Sequence, residues 1–303
     1  MLLYLKKDYK MQLNNIKKDI IIGTAQLSSN YGIANKNHNH SLSKSINFLN
    51  YAKKNNFINL DTAVAYKDAH RIIGEWSKKE NYLPNIYTKI PKLNNYKNIK
   101  LKIIFNQILK DLNMKNIKGL LLHHSKDWKN DTVKEFINDI LYKNIISKFG
   151  LSIYEKSEII EHPNIKIIQT PGNIFNQAII RSKEVQEFCN KGGEVQIRSI
   201  FVQGLILMNV NEIPNSLKEC KKCVSFFQNI SKDLNIPPLI LAIACVKRII
   251  PSSKIVLGFD DLKQLKTLKD IHKFSVKEED IDNILDFGKK NSGPIWDTRN
   301  WNL

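Results

Sequence analysis

The sequence predicts an α/β fold, a single (β/α)8 TIM barrel, on three observations. Eight short runs rich in β-branched and aliphatic residues fall between residues 19 and 258, and the stretches between them are longer and amphipathic. The first run is also not followed by a dinucleotide-binding glycine loop. An open doubly wound sheet that binds a dinucleotide would carry GxGxxG there, whereas DIIIGTAQLSSNYG spaces its glycines differently.

In order, the predicted strands are DIIIGT (19–24), FINLD (57–61), NIYTK (85–89), IKGLLLH (117–123), IISKFGLS (145–152), IKIIQT (165–170), EVQIRS (194–199) and KIVLG (254–258). The intervening segments SLSKSINFLNYAKKN, NIKLKIIFNQILKDL, DTVKEFINDILYK and SKEVQEFCNKG repeat apolar residues every three or four positions, the spacing of a helix that buries one face. Residues 1–16 are expected to form a loosely held leader. Residues 17–303 are expected to form the barrel, ending in a C-terminal helix and an aromatic tail.

The chain has 303 residues, 42% apolar and 25% charged, which is enough apolar material for the core of one large barrel. No apolar run reaches the roughly 18 residues of a membrane span, and the first residues are too weakly apolar for a secretory signal, so a cytoplasmic protein with no membrane partner is expected. The net charge of +18 comes from lysines scattered along the whole chain, not from a clustered arm, and no nucleic-acid partner is expected. Four cysteines are too few for a disulfide framework. Cys220 and Cys223 form a CxxC inside KECKKCVSFF, a basic, helical stretch with no second ligand pair, and His38 and His40 lie in a polar loop without a carboxylate, so no metal site is expected.

Barrel enzymes carry their reactive groups where the strands end. Asp61 ends the second run, Tyr66 follows it in the loop, Lys89 ends the third run and His123 ends the fourth. Consecutive strands are neighbours, so these four can converge at one rim. Delivering hydride to a carbonyl leaves an alkoxide that needs a proton donor. A phenol fits that task when a nearby cation favours the phenolate, which Lys89 would supply. Asp61 would keep the buried lysine charged, and His123 would orient the substrate oxygen.

IIIGTAQLSSNYGIAN, INLDTAVAYKDAHRIIGEW, YTKIP and GLLLHHS resemble, in order, the first four strand-end motifs of the aldo-keto reductase superfamily. KFGLSIY, IIQTPGNIFNQ, IRSIFVQGLIL and IVLGFDDLKQL resemble the remaining four, so the likeness spans residues 19–271. The resemblance implies a nicotinamide cofactor extended across the barrel mouth and an NAD(P)H-dependent oxidoreductase interconverting an aldehyde, ketone or sugar carbonyl with its alcohol. It implies that Asp61, Tyr66, Lys89 and His123 are catalytic, with Tyr66 the general acid and base. The alternative is a barrel that binds cofactor without turnover, as a sensor or subunit.

By the same resemblance, Gly23 and Thr24 flank the cofactor, and Ser152 and Gln169 hold its carboxamide. Ser199, Gly204 and Leu205 face the pyrophosphate, while Gly258 and Gln264 lie near the adenosine phosphate. This chain departs from the pattern at three places: Ile153 stands where an Asn is common, Arg198 where an aromatic usually stacks on the nicotinamide, and Leu268 where many members have an adenine-contacting Asn. The guanidinium of Arg198 is flat and is expected to stack instead. Tyr31, His124, Trp296 and Trp301 are candidate substrate-lining residues. The resemblance favours NADP(H), with NAD(H) the alternative because Phe259, Asp260 and Asp261 occupy the segment that usually meets a 2′-phosphate. One of these aspartates could instead cap the following helix, leaving Lys263 or Lys266 for the phosphate.

Overall fold

A computed structural model describes residues 9–28, 32–34, 41–93 and 98–301. Its strands are β1 (Lys10–Gln12), β2 (Ile20–Gly23), β3 (Asn59–Asp61), β4 (Asn85–Ile90), β5 (Ile117–Leu122), β6 (Ile146–Ser152), β7 (Ile165–Pro171), β8 (Glu194–Arg198), β9 (Lys254–Leu257) and β10 (Ser275–Lys277). Strands β2 to β9 close a parallel barrel in chain order, and these are the eight runs read from the sequence. The helices are α1 (Leu42–Lys54), α2 (Ala69–Glu80), α3 (Asn98–Leu112), α4 (Asp131–Tyr142), α5 (Lys183–Asn190), α6 (Lys221–Asp233), α7 (Pro238–Ile249), α8 (Leu262–Lys269) and α9 (Glu278–Lys290).

Side chains on a strand alternate between its two faces, and the barrel uses this alternation to set a floor under the site. Ile21, Tyr87, Leu121, Ile167 and Val256, from five different strands, pack as a separate buried cluster inside the barrel. Two residues further along those strands or just past their ends come Gly23, Lys89, His123, Gln169 and Gly258. The apolar cluster therefore fixes which way the next inward positions point. The remaining three strands close with Asp61, Ser152 and Arg198, and the register pairs Gly23 with Asp61 and Ser152 with Gln169. Outward residues such as Ile86, Leu120, Leu122 and Ile168 join the larger core between strands and helices.

Below the apolar layer lies a polar one. Glu194 accepts from Lys148 at 2.7 Å and pairs with Lys254 at 3.0 Å, and Lys254 donates to the Tyr87 hydroxyl at 2.9 Å. Two compensating lysines are what allow a carboxylate to sit so deep.

The leader differs from expectation. Residues 10–12 pair antiparallel with 275–277, and Leu13 and Ile16 are buried, so the chain is held from residue 10 onward by a short ribbon. Amphipathic burial of Leu13 and Ile16 is the cause. Residues 1–8 lie outside the described residues, as do Tyr31, His38 and His40. The aromatic tail follows α9: Trp296 stacks on Phe175 with ring centroids 4.1 Å apart and is buried, and Trp301 donates to the Ile295 carbonyl. Cys220 and Cys223 are buried free thiols where a 3₁₀ turn runs into α6, and burial pushes both thiols up from their ordinary range. Among the described residues no helix is long and apolar enough to cross a membrane, and no three His, Cys, Asp or Glu side chains gather as metal ligands.

Candidate active site

The candidate catalytic residues are positioned first by β3 and β4. Lys89 is 1% exposed, and its ammonium donates to both Asp61 carboxylate oxygens, at 2.6 and 2.7 Å, and to the Thr62 carbonyl at 3.1 Å. Burial lowers the Lys89 pKa, and the Asp61 carboxylate opposes that shift. Asp61 is held in turn by Gln169, whose amide nitrogen donates to Oδ1 at 2.7 Å and to the Gln196 side-chain oxygen at 2.9 Å. Gln196 donates onward to Glu194 at 2.8 Å. A chain of hydrogen bonds thus links Asp61 to the polar layer beneath.

Tyr66 reaches this centre from the loop after β3. That loop is tied down by backbone bonds from Thr62 to the Tyr87 carbonyl and from Val64 to the Lys89 carbonyl, and Ser28 donates to the Tyr66 carbonyl at 2.7 Å. The Lys89 ammonium lies 5.5 Å from the Tyr66 ring centroid. Burial first, and then the Asp61 carboxylate, push the phenol pKa above its ordinary value, while Arg198 pulls the other way. The Lys89 charge expected to favour the phenolate therefore comes without a hydrogen bond to the phenol. An ammonium has three hydrogens, and all three are used on Asp61 and Thr62.

His123 follows β5, with burial and the nearby Lys89 and Arg198 cations holding its pKa down to about 4. It is a neutral imidazole at neutral pH, with one N–H to donate. His124, the alternative substrate-lining residue, instead contacts Asp127 at 3.1 Å.

Arg198 lines a cavity together with Asp61, Tyr66, Gly23, Ser199, Gly204, Gly258 and Gln264. Its guanidinium lies 4.4 Å from the Tyr154 ring centroid, and Arg299 of the tail lies 4.0 Å from the same ring. Asp297 binds Arg299, with Nε to Oδ1 at 3.0 Å. The tail therefore reaches the site through Arg299 and Tyr154. Trp296 is absorbed in packing.

Among the described residues, five buried polar atoms have no partner, all at this end of the barrel: Gln26 Oε1, Thr62 Oγ1, Ser152 Oγ, Gln169 Oε1 and Arg198 Nη2. Buried polar atoms are seldom left unpaired in a finished site. A primary carboxamide offers both donor and acceptor atoms, so Ser152 and Gln169 fit the nicotinamide group assigned to them. Backbone closeness makes the cradle beside them. A Cβ on Gly258 would fall 2.5 Å from the Gln26 amide, and one on Gly204, where φ is +91°, would fall 2.4 Å from the Ala34 Cβ. The same loop holds Ser199, Val202 and Gln203 at positive φ, and for a β-branched residue such as Val202 that conformation is strained.

Not every residue assigned from sequence faces the groove. Thr24 is buried and donates its hydroxyl to the Asp61 carbonyl at 2.9 Å, bracing the rim. Leu205 is wholly buried in the core and does not line the cavity, because the left-handed turn ending at Gly204 points it inward. Ile153 and Leu268 are core residues too, in keeping with their loss of polar character. Gln26 and Gln203 line the cavity and were not assigned to it, and Asp260, noted in the 2′-phosphate segment, lines it as well. Gln26 could have been anticipated, because it is three residues past Gly23 in the same strand-end loop.

The family model for the Aldo/keto reductase family matches residues 19–288. The chain belongs to this family. It is an oxidoreductase of the aldo/keto reductase type, acting between carbonyl and alcohol. Solved structures share the fold. An aldo-keto reductase from Bacillus halodurans, in its holo form, superposes with a TM-score of 0.72 at 15% identity, covering 94% of this chain and 98% of its own. A glycerol dehydrogenase from Gluconobacter oxydans gives 0.71 at 17% identity, covering 89% and 92%. A putative aldo-keto reductase from Pseudomonas aeruginosa gives 0.60 at 13% identity, covering 87% and 93%. No curated protein sequence matches significantly.

Proposed function

We propose that this aldo/keto reductase reduces an aldehyde, ketone or sugar carbonyl with a reduced nicotinamide dinucleotide, and that Tyr66 delivers the proton. The observation that carries the reading is a cavity lined by Asp61 and Tyr66, with Lys89 bound to Asp61 and the buried Ser152 Oγ on β6 and Gln169 Oε1 on β7 left unpaired.

The bound cofactor supplies the hydride. The protein's share is to bind, orient and protonate. Ser152 Oγ and Gln169 Oε1 hold the carboxamide, and Gln169 can only turn its oxygen outward because both amide hydrogens are engaged by Asp61 and Gln196. Ser199 and Gly204 line the path of the pyrophosphate. Neutral His123 donates to the carbonyl oxygen and orients it. Tyr66 keeps its proton at neutral pH because burial favours the neutral phenol, and gives it up as charge develops on that oxygen. Lys89 stabilises the resulting phenolate through its field rather than by a hydrogen bond, and Arg198 adds a second positive charge. The reverse oxidation uses the same groups in the opposite order.

The test is a panel of aldehydes, ketones, sugars and polyols, followed by the absorbance of the reduced cofactor, with Tyr66→Phe as control. Polyols belong in the panel because one structural neighbour is a glycerol dehydrogenase. Turnover of at least one class that is lost in the variant supports the reading. Equal turnover in both proteins refutes the role of Tyr66.

A further inference from the structure

A second cleft, of about 340 Å³, opens beside the catalytic cavity, and the two share Gly23, Gln26 and Asp260 as walls. Its volume is in the range of ligand pockets. Phe48 of α1 and Phe259 line it, with ring centroids 5.8 Å apart, so its floor is aromatic and apolar. Asp260 stands where the two spaces meet.

On the reading that the catalytic cavity takes the nicotinamide, the adenosine end of the cofactor would fall at the second cleft, and we propose that Asp260 makes this chain select NADH over NADPH. The apolar, aromatic cleft suits the faces of a purine. A carboxylate at its entrance meets the sugar that joins purine to pyrophosphate. Ribose hydroxyls donate to a carboxylate, and acidic residues bind them in other dinucleotide sites. A 2′-phosphate would bring negative charge to the same place and offer only acceptors.

The neighbouring aspartate does not compete for this role. Asp261 is exposed and is the N-cap of α8, with Oδ1 accepting from the Gln264 amide at 2.9 Å. Asp260 is fixed differently: its backbone N–H donates to the Gln264 side-chain oxygen at 3.0 Å, and its side chain turns into the groove beside Gln26. Burial first and the Asp261 charge raise the Asp260 pKa, opposed by side-chain hydrogen bonds from Gln264 and Gln26, with no cation offsetting them. Hydroxyl donors relieve that condition and a phosphate worsens it.

The cations nearby are poorly placed to reverse this. Lys263 and Lys266 are exposed on α8 and line neither cavity. Among the described residues, Lys44 of α1 is the one lysine or arginine on the wall of the second cleft. The geometry thus turns away from the NADPH preference that the family resemblance favours.

The deciding experiment is a binding titration, followed by tryptophan fluorescence and by calorimetry, of NADH and NADPH to the wild type, Asp260→Asn, Asp260→Ser and Lys44→Gln at constant ionic strength. The wild type is expected to bind NADH at least tenfold more tightly. Both Asp260 variants should tighten NADPH about tenfold while weakening NADH severalfold, and Lys44→Gln should leave the ratio of the two affinities within about twofold. Equal or tighter NADPH binding by the wild type overturns the proposal and leaves the assignment of the catalytic cavity standing, as does a ratio that collapses on losing Lys44 but not Asp260. Binding of neither cofactor overturns both.

Discussion

The Lys89 ammonium meets the Asp61 carboxylate face on, 2.6 and 2.7 Å from its two oxygens, at a depth where both side chains are almost fully buried. Its third hydrogen goes to the Thr62 carbonyl. The pair anchors the floor of the site, with the Lys89 ammonium 5.5 Å from the Tyr66 ring centroid.

Breaking that unit should cost stability as well as activity. Removing one member of a buried ion pair leaves the other uncompensated, typically at about 3 to 5 kcal/mol. Lys89→Met should therefore lower the unfolding free energy by that order, and Asp61→Asn by less, because an amide can still accept from the lysine. The double variant should lose clearly less than the sum. Urea unfolding of the four proteins measures this, and strict additivity would count against a coupled pair.

Gln169 should be read together with Gln196. The Gln196 oxygen accepts the second amide hydrogen of Gln169 at 2.9 Å and so decides which end of that amide faces the groove. Gln196→Leu frees Gln169 to flip without touching the cavity itself. Cofactor affinity should fall about tenfold, equivalent to ~1.4 kcal/mol, and Gln196→Asn, which keeps an amide with both an acceptor and a donor for Glu194, should lose less. A fluorescence titration reads both. Unchanged affinity in the leucine variant would show that the amide is oriented by Asp61 alone.

Two histidines set a pH window for stability. Burial holds both His70 and His123 down to about 4, with His70 bonded to the Thr88 hydroxyl at 2.8 Å. In the unfolded chain each would titrate near its ordinary value of about 6.5. Between these limits the unfolded state binds more protons than the folded one, so stability is full above about 6.5 and falls as pH drops toward about 4. Unfolding curves should show this slope, and His70→Gln should flatten part of it. A slope unaffected by the substitution would assign the loss to other groups.

Much of this was legible in the sequence because it depended on local pattern. Strand runs were found within a residue or two, and Asp61, Lys89 and His123 were placed at strand ends where the inward alternation then put them. What stayed hidden depends on distant residues meeting. Gln169 engages Asp61 across 108 positions, and Arg299 reaches Tyr154 from the far tail. The saturation of Lys89 is equally a matter of three-dimensional counting. Leu205 was misread because a motif gives the neighbourhood of a residue, whereas the left-handed turn before it decides its direction. The ribbon between residues 10–12 and 275–277 joins two segments with no repeat or motif to link them.

The central claim is that Tyr66 is the proton donor, and single-turnover reduction by Tyr66→Phe tests it most directly. The variant removes one hydroxyl and keeps the ring against Lys89, so fold and cofactor affinity should stay within about twofold of the wild type. General acid catalysis is typically worth about 10²- to 10⁴-fold, and the single-turnover rate should fall by at least that order. Because burial raises the phenol pKa, the wild-type rate of reduction should also stay level with pH up to at least its ordinary value near 10. A variant that binds cofactor normally and keeps more than about a tenth of the wild-type rate would contradict the account.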